Sequence, residues 1–517
     1  MEKYKYILLL VVTIFCLHVT PVSAQTILYI PADDRPVNLE YVIDTAKSAG
    51  IEIVTPPPAL IGSLSNKGNA DQLWTWLFDH ANTADSVVVA ADSLLYGNLI
   101  TSRTHKLPLE VIEERIDNFT KLKSLNPKMK LYIYSTIMRT PQSGEGDEEP
   151  AYYKQYGPSI FRITALRDQA EMQQLSTSQN NELRDLVSRV PHPILTDWYA
   201  RREKNLIANK RLIDYAKKNT FTYFLLGRDD CAPYSQSHME SRHLATETID
   251  LPTERYASFP GVDELGMLMV TRAVNNAANR TPTIRVLFAS GSGPSTIPSY
   301  EDVAVGQTID AHIVAAGGIP VDSEQADLVL AVNTPGDGIT REAESNFNRG
   351  QFRTAPVVLA WDIGHEVKAG HRVAVADIAY GNGADNTLMA ELSKRGLLFK
   401  LEAYSGWNTA SNTIGYAIGQ GILASQMTAE AKNRLLAIRF LDDWGYQANV
   451  RDTIGREVLS PLGGSWFFFG NLTARMTAET NWRLRTFAAN NFPEYPLKKF
   501  TVSFPLNRMF EVEIKLQ

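Results

Sequence analysis

The sequence predicts an α/β protein of repeated strand–helix units. Three observations carry that expectation. Short β-prone apolar runs recur, as in Thr26–Ile30, Ser86–Ala91 and Phe221–Leu226, and they do not alternate, which is the mark of strands buried on both faces. Helical patterns separate them, which favours parallel strands joined by right-handed crossovers. Each run ends in polar residues broken by Pro or Gly, where α/β folds meet their ligands.

Taken in order, the chain opens with Met1-Glu-Lys-Tyr-Lys, an apolar run from Tyr6 to Val19, and Val22-Ser-Ala24 before Gln25. This pattern predicts a signal peptide over residues 1–24, cleaved after Ala24, and a periplasmic or secreted protein. The apolar run is too short and too early for a membrane span, and no later run is long enough, so no membrane partner is expected after cleavage. Cleavage removes Cys16 and leaves Cys231 alone, so no internal disulfide is expected. The formal charge of −6 gives no footprint for nucleic acid.

The first part, residues 25–280, reads as (β/α)-barrel-like, with strands at 26–30, 51–54, 86–91, 130–134 and 221–226. An open doubly wound sheet would give the same string of elements. Pro36 suits a helix start and Gly50 a helix end. Gln142–Pro150 reads as a solvated acidic loop, with a lid as its alternative, and residues 152–218 as helix with breaks near Ser176 and Pro191. The fifth strand is expected to stop at Gly227 and to present Arg228, Asp229 and Asp230 before Pro233. Asp263 and Glu264 stand at a helix start, where acids are favoured whatever their function.

Residues 281–425 read as a second, doubly wound α/β part. Its strands are expected at Thr283–Ala289, Leu328–Val332, Pro356–Trp361, Val373–Ala376 and Leu398–Tyr404. Ser290-Gly-Ser-Gly-Pro lacks the lysine and the spacing of a phosphate loop and reads as a simple turn. Residues 426–517 form a small helical tail ending in a hairpin, with strand alternation in Phe500–Phe504 and Met509–Lys515.

The strand ends supply carboxylates and amides. There is no Cys/His cluster, H-E-x-x-H or G-x-S-x-G, which removes the zinc-peptidase and α/β-hydrolase readings. Asp229 and Asp230 are the catalytic candidates, because adjacent carboxylates repel and one can stay protonated near neutrality. Their bland alternative is capping and pairing with Arg228 or Arg242. Substrate-binding candidates are Asp33, Asp34, Arg35, Asn38, Asp92, Tyr96, Asn98, Arg103, Glu264, Asp377, Trp407, Asn408 and Asn412. Trp407 with Asn408 and Asn412 offers an apolar plate and amides, as a sugar requires, although a core Trp with helix-capping Asn explains them equally.

In its local pattern the Asp229-Asp230 pair resembles that of O-GlcNAcase-like hexosaminidases, which implies a substrate-assisted mechanism. Pro31-Ala-Asp-Asp-Arg-Pro-Val-Asn38, Ala91-Asp-Ser-Leu-Leu-Tyr-Gly-Asn98 with Ser102-Arg103, Gly227-Arg-Asp-Asp230, Pro260-Gly-Val-Asp-Glu264 and Gly406-Trp-Asn-Thr409 are together similar to the bacterial domain-of-unknown-function family 4127. That resemblance covers nearly the whole mature chain and implies that these blocks share one cleft. It implies no activity.

The expected function is therefore an exported glycoside hydrolase acting on a glycan or other small polar substrate, without cofactor or metal. Two alternatives stand beside it: a hydrolase using Mg²⁺ or Ca²⁺ held by Asp33, Asp34, Asp92 and Asp230, or a non-catalytic periplasmic carbohydrate-binding protein.

Overall fold

A computed structural model describes residues 25–516 apart from Gly146, Gln351, Pro496 and Lys498; the expected signal peptide lies outside the described residues. The first sheet contains β1 (Thr26–Ile30), β2 (Glu52–Val54), β3 (Ser86–Ala90), β4 (Lys130–Ile137), β5 (Tyr223–Arg228) and β6 (Tyr256–Pro260). All neighbours are parallel, in the order β2-β1-β3-β4-β5-β6. The barrel-like expectation does not hold, because β2 and β6 are free edges and the sheet stays open. Alternate strand residues serve two hydrophobic layers. Tyr29, Val88, Tyr134 and Leu225 face one, and Leu28, Val89, Ile133 and Leu226 face the other. Burial on both faces explains why the runs do not alternate in hydropathy.

The second sheet is also parallel. It contains β7 (Thr283–Phe288), β8 (Ile319–Pro320), β9 (Leu328–Asn333), β11 (Val373–Asp377) and β13 (Ala403–Ser405), in the order β13-β11-β9-β7-β8. A short parallel pair, β10 (Arg341–Glu342) with β12 (Tyr380–Gly381), lies beside it. Both chain-order patterns are those of doubly wound sheets, which bind ligands at the carboxyl ends of their strands.

Two helices join the sheets. In Leu265–Ala277 every residue from Leu265 to Asn275 is buried, and Ala410–Leu423 is buried throughout. They bring Val88 and Tyr134 of the first sheet and Leu330 and Ala374 of the second into one hydrophobic layer. Gly415 and Gly419 permit the close approach. A Cβ on Gly415 would stand 2.3 Å from Glu264 Cγ, and one on Gly419 2.5 Å from Met267 Cγ.

Several local expectations are corrected. Strand β5 runs two residues further than expected, so Gly227 lies inside it and pairs with Thr136 and Phe259. A Cβ at Gly227 would meet the Gly261 carbonyl oxygen at 2.3 Å, so this glycine serves close packing and does not end the strand. Strand β6 had no counterpart in the sequence reading. Pro356–Trp361 is helix, within Thr354–Lys368, because Pro356 sits in the first turn where its missing N–H costs nothing. Leu398–Lys400 is a 3₁₀ turn before the short β13. The breaks at Ser176 and Pro191 are present, between the helices Tyr153–Met172, Thr177–Arg189 and His192–Lys217. The terminal hairpin is present too, pairing β14 (Phe500–Ser503) with β15 (Glu513–Leu516). Among the described residues no helix is long and apolar enough to cross a membrane.

Candidate functional site

The carboxyl ends of the first sheet open into a cavity of about 250 Å³. Arg35 enters after β1, Arg103 from the helix Leu99–Thr104 beyond β3, and Arg139 after β4. Arg228, Asp229 and Asp230 come from the end of β5, and Gly261, Val262 and Asp263 follow β6. The second half supplies Tyr300, Asn382, the 407–409 turn after β13 and Asn412 from the first turn of the helix Ala410–Leu423. The C-terminal tail adds Phe467, Arg508, Phe510 and Glu511.

Two ion-pair networks organise this cavity. In the first, Asp263 accepts from Arg35 Nη2 at 2.6 Å and Nη1 at 3.2 Å, and from Asn408 Nδ2 at 2.6 Å. Asp33, 1% exposed, lies behind it and accepts from Arg35 Nε at 2.9 Å and Asn38 Nδ2 at 2.8 Å. The Asn412 side-chain oxygen accepts from the Asp263 N–H at 3.0 Å. The second network centres on Glu148, which pairs with Arg103 at 2.6 Å, Arg139 at 2.9 Å and Arg508 at 2.6 Å. Arg103 in turn donates to Asp229 Oδ2 from Nε at 3.1 Å and Nη2 at 2.7 Å. Arg139 holds Glu149 at 2.7 Å and Asp230 at 3.1 Å. Burial alone would raise Glu148, yet Arg139, Arg508 and Arg103 hold it well below the usual carboxylate range.

Asp230 differs from its neighbours. Burial, and then the adjacent Asp229 charge, push its carboxyl up to about 6 against the pull of Arg139. Its side chain is nevertheless 32% exposed. Its backbone is left-handed, with φ 22°. Tyr300 (φ 69°), Asn382 (φ 56°) and Asn408 (φ 69°) share that region of backbone space, so four of the seven non-glycine residues with positive φ among the described residues line this one cavity. Such strain persists only where the surroundings enforce it, and it concentrates at functional sites. The Cys231 N–H donating to the Tyr300 carbonyl at 2.9 Å is one such restraint, tying the β5 turn to the second half.

Of the residues expected from sequence, Arg35, Arg103, Asp229, Asp230, Trp407, Asn408 and Asn412 line the cavity, with Asp33 and Asn38 directly behind. Trp407 is 8% exposed and belongs to the wall, while Asn408 Nδ2 donates to Asp263 and Asn412 Oδ1 accepts from the Asp263 N–H. The others are not brought to the cavity. Asp34 is raised to about 6, by burial and then by Asp33, and does not line the cavity. Asp92 accepts from Thr136 N and Oγ1, both at 3.1 Å, and so fastens β4; burial raises it to about 7. Tyr96 packs against His105 with ring centres 4.7 Å apart, and Asn98 caps the helix Leu99–Thr104. Glu264 is fully buried with neither carboxylate oxygen partnered, 3.7 Å from His312 Nε2, and burial pushes it well above the usual range. Asp377 is the last residue of β11 in the second sheet, where it accepts from Asn333 Nδ2 at 2.8 Å and Tyr404 OH at 3.0 Å.

The acidic loop is also corrected: Glu148 and Glu149 turn inward to the arginines and are not solvated. Its inward turn, and the return of Arg508 and Glu511 to the cavity, had no local sequence signal. In the sequence Arg139 follows the fourth expected strand, and Asp263 stands at a helix start, where an acid is favoured whatever its function. Among the described residues no group of three or more His, Cys, Asp or Glu side chains is placed to share a metal ion; of the proposed quartet, Asp92 is committed to Thr136. No curated protein matches the chain. Residues 27–515 match the family described as "Protein of unknown function (DUF4127)", and the chain belongs to that family.

Proposed function

We propose that the chain is an exported glycoside hydrolase acting on glycans, with N-acetylhexosamine residues as the substrate class, and that Asp230 is its proton donor. The observation that carries this reading is Asp230 itself: a carboxyl raised to about 6, open to the cavity, and set on a left-handed backbone beside an arginine-paired Asp229. An acid with that titration is protonated in a useful fraction near neutrality. Adjacent acids cannot flank a scissile bond from opposite sides, which favours attack by the substrate's own acetamido group over a protein nucleophile.

In that route Asp230 gives its proton to the glycosidic oxygen as the C1–O bond breaks. The acetamido carbonyl oxygen closes on C1, and Asp229, held by Arg103, orients the acetamido N–H. Water then adds at C1, restores the acetamide and returns a proton to Asp230. The test is release of sugar from N-acetylhexosamine-bearing aryl glycosides and natural glycans, with Asp230→Asn alongside and EDTA in parallel. Loss of a general acid lowers turnover on substrates with a poor leaving group, the natural glycans among them, by about 10²–10⁴-fold; unchanged turnover of these by the variant would remove Asp230 from the chemistry. A carbohydrate-binding protein is the second reading, favoured by the contribution of both halves to the cavity wall. Retention of intact glycan without product would select it.

A further inference from the structure

We infer that the second sheet carries a separate site for a small organic oxyanion, such as a phosphate monoester, at the carboxyl ends of β9 and β11. A cavity of about 300 Å³ opens there and shares no lining residue with the cavity around Asp230. That volume is at the lower end of small-molecule sites. Doubly wound parallel sheets place ligands at this edge, and β9 and β11 lie in the middle of theirs.

Two independent features point to an acceptor-rich ligand. The 15-residue helix Thr354–Lys368 begins at the cavity, and no side chain caps its first turn. The N–H groups of Thr354 and Ala355, its first two residues, and the helix dipole favour negative charge; Pro356 at the third position offers no N–H. Thr334, the residue after β9, lines the same cavity, is 1% exposed, and its hydroxyl has no hydrogen-bond partner. A buried hydroxyl without a partner is costly, and a bound oxyanion would satisfy it. The charges of the wall are already balanced: Arg341 pairs with Asp337 at 2.7 Å, and Arg353 pairs with Asp385, while Arg353 Nε remains unpartnered. The ligand therefore meets a helix terminus, a hydroxyl and a spare guanidinium N–H, with the two acids neutralised. Phe347, 54% exposed on the rim, and Tyr380 offer apolar surface to the rest of the molecule.

The test is titration of the intact protein with phenyl phosphate and with inorganic phosphate, followed by calorimetry. Phenyl phosphate is expected to bind at millimolar concentration, more tightly than inorganic phosphate, and equally well in Asp230→Asn. Thr334→Val should weaken it by about tenfold, the value of one hydrogen bond to a charged group. Thr354→Asp should abolish it while favouring the helix start, so the fold is kept. No binding by the wild type, binding lost in Asp230→Asn, or binding indifferent to both Thr334→Val and Thr354→Asp would each overturn the site. Equal affinity for inorganic phosphate would overturn the role given to Phe347 and Tyr380. None of these outcomes depends on whether the first cavity cleaves glycans.

Discussion

Glu148 joins three arginines around one carboxylate, and replacing it with glutamine tests how the first cavity is held together. Its side chain is 13% exposed, and Arg103, Arg139 and Arg508 are 4%, 16% and 8% exposed. Removing one partner of a buried ion pair costs roughly 3–5 kcal/mol, because the opposite charge stays desolvated. Glutamine keeps one acceptor oxygen and the shape, so the lower end applies, about 3 kcal/mol. For a chain of 517 residues the entropy of unfolding is about 1 kcal/mol/K, so Tm falls by about 3 °C. Glu145, exposed in the same loop, provides the control, and Glu145→Gln should stay within about 0.5 kcal/mol of wild type. Calorimetry at neutral pH reads both. Removing Glu148's charge also removes one of the influences that raise Asp230, whose titration should move below about 6. Equal Tm for wild type and Glu148→Gln would refute the reasoning, since it would leave the loop as solvated as its sequence suggests.

Two further predictions concern stability. Asp92, Asp377, Asp443 and Glu301 are each raised to about 7, chiefly by burial. Between the unfolded values near 4 and these folded values the native state binds the extra protons, so stability declines as pH climbs through that window. His105 and His312, lowered to about 4 chiefly by burial, act oppositely but are outnumbered. Tm should therefore be lower at about pH 8 than at about pH 5.5, and a rise between them would contradict the assignment. Gly415→Ala should destabilise by about 1–3 kcal/mol through overpacking against Glu264. Gly364→Ala, whose added Cβ would find only Leu397 Cδ1 at 3.5 Å, should be neutral or stabilising; equal effects on thermal unfolding would mean that the buried helix pair is loosely packed.

Much of the fold was legible because burial on both faces leaves a direct mark in sequence. Thr26–Ile30 and the helix breaks at Ser176 and Pro191 follow from local pattern alone. Closure is a different matter, since no local feature distinguishes a barrel from an open sheet when the elements alternate in the same way. Pro356–Trp361 misled because a short apolar run reads equally as strand or buried helix. Gly227 misled because a glycine in a strand can end it or admit a neighbouring backbone, and only the position of Gly261 decides. At the first cavity the strand-end acids were visible, but which face inward depends on distant partners. Arg508 reaches Glu148 across 360 positions of sequence, and no local pattern announces such a pair. Asp92 and Asp377 have the residue type and the strand-end position of site residues, yet they fasten neighbouring strands and loops.

The most direct test of the account is the turnover of two N-acetylhexosaminides by wild type and Asp230→Asn, one with a poor leaving group and one with an activated aryl leaving group. If Asp230 protonates the departing oxygen, the variant loses turnover on the first by about 10²–10⁴-fold and keeps most of the first-turnover rate of aryl release on the second, whose departure needs no proton. Wild-type activity on the first substrate should also fall as pH rises through about 6, where Asp230 gives up its proton. Equal turnover by wild type and variant on the poor leaving group would contradict the central claim.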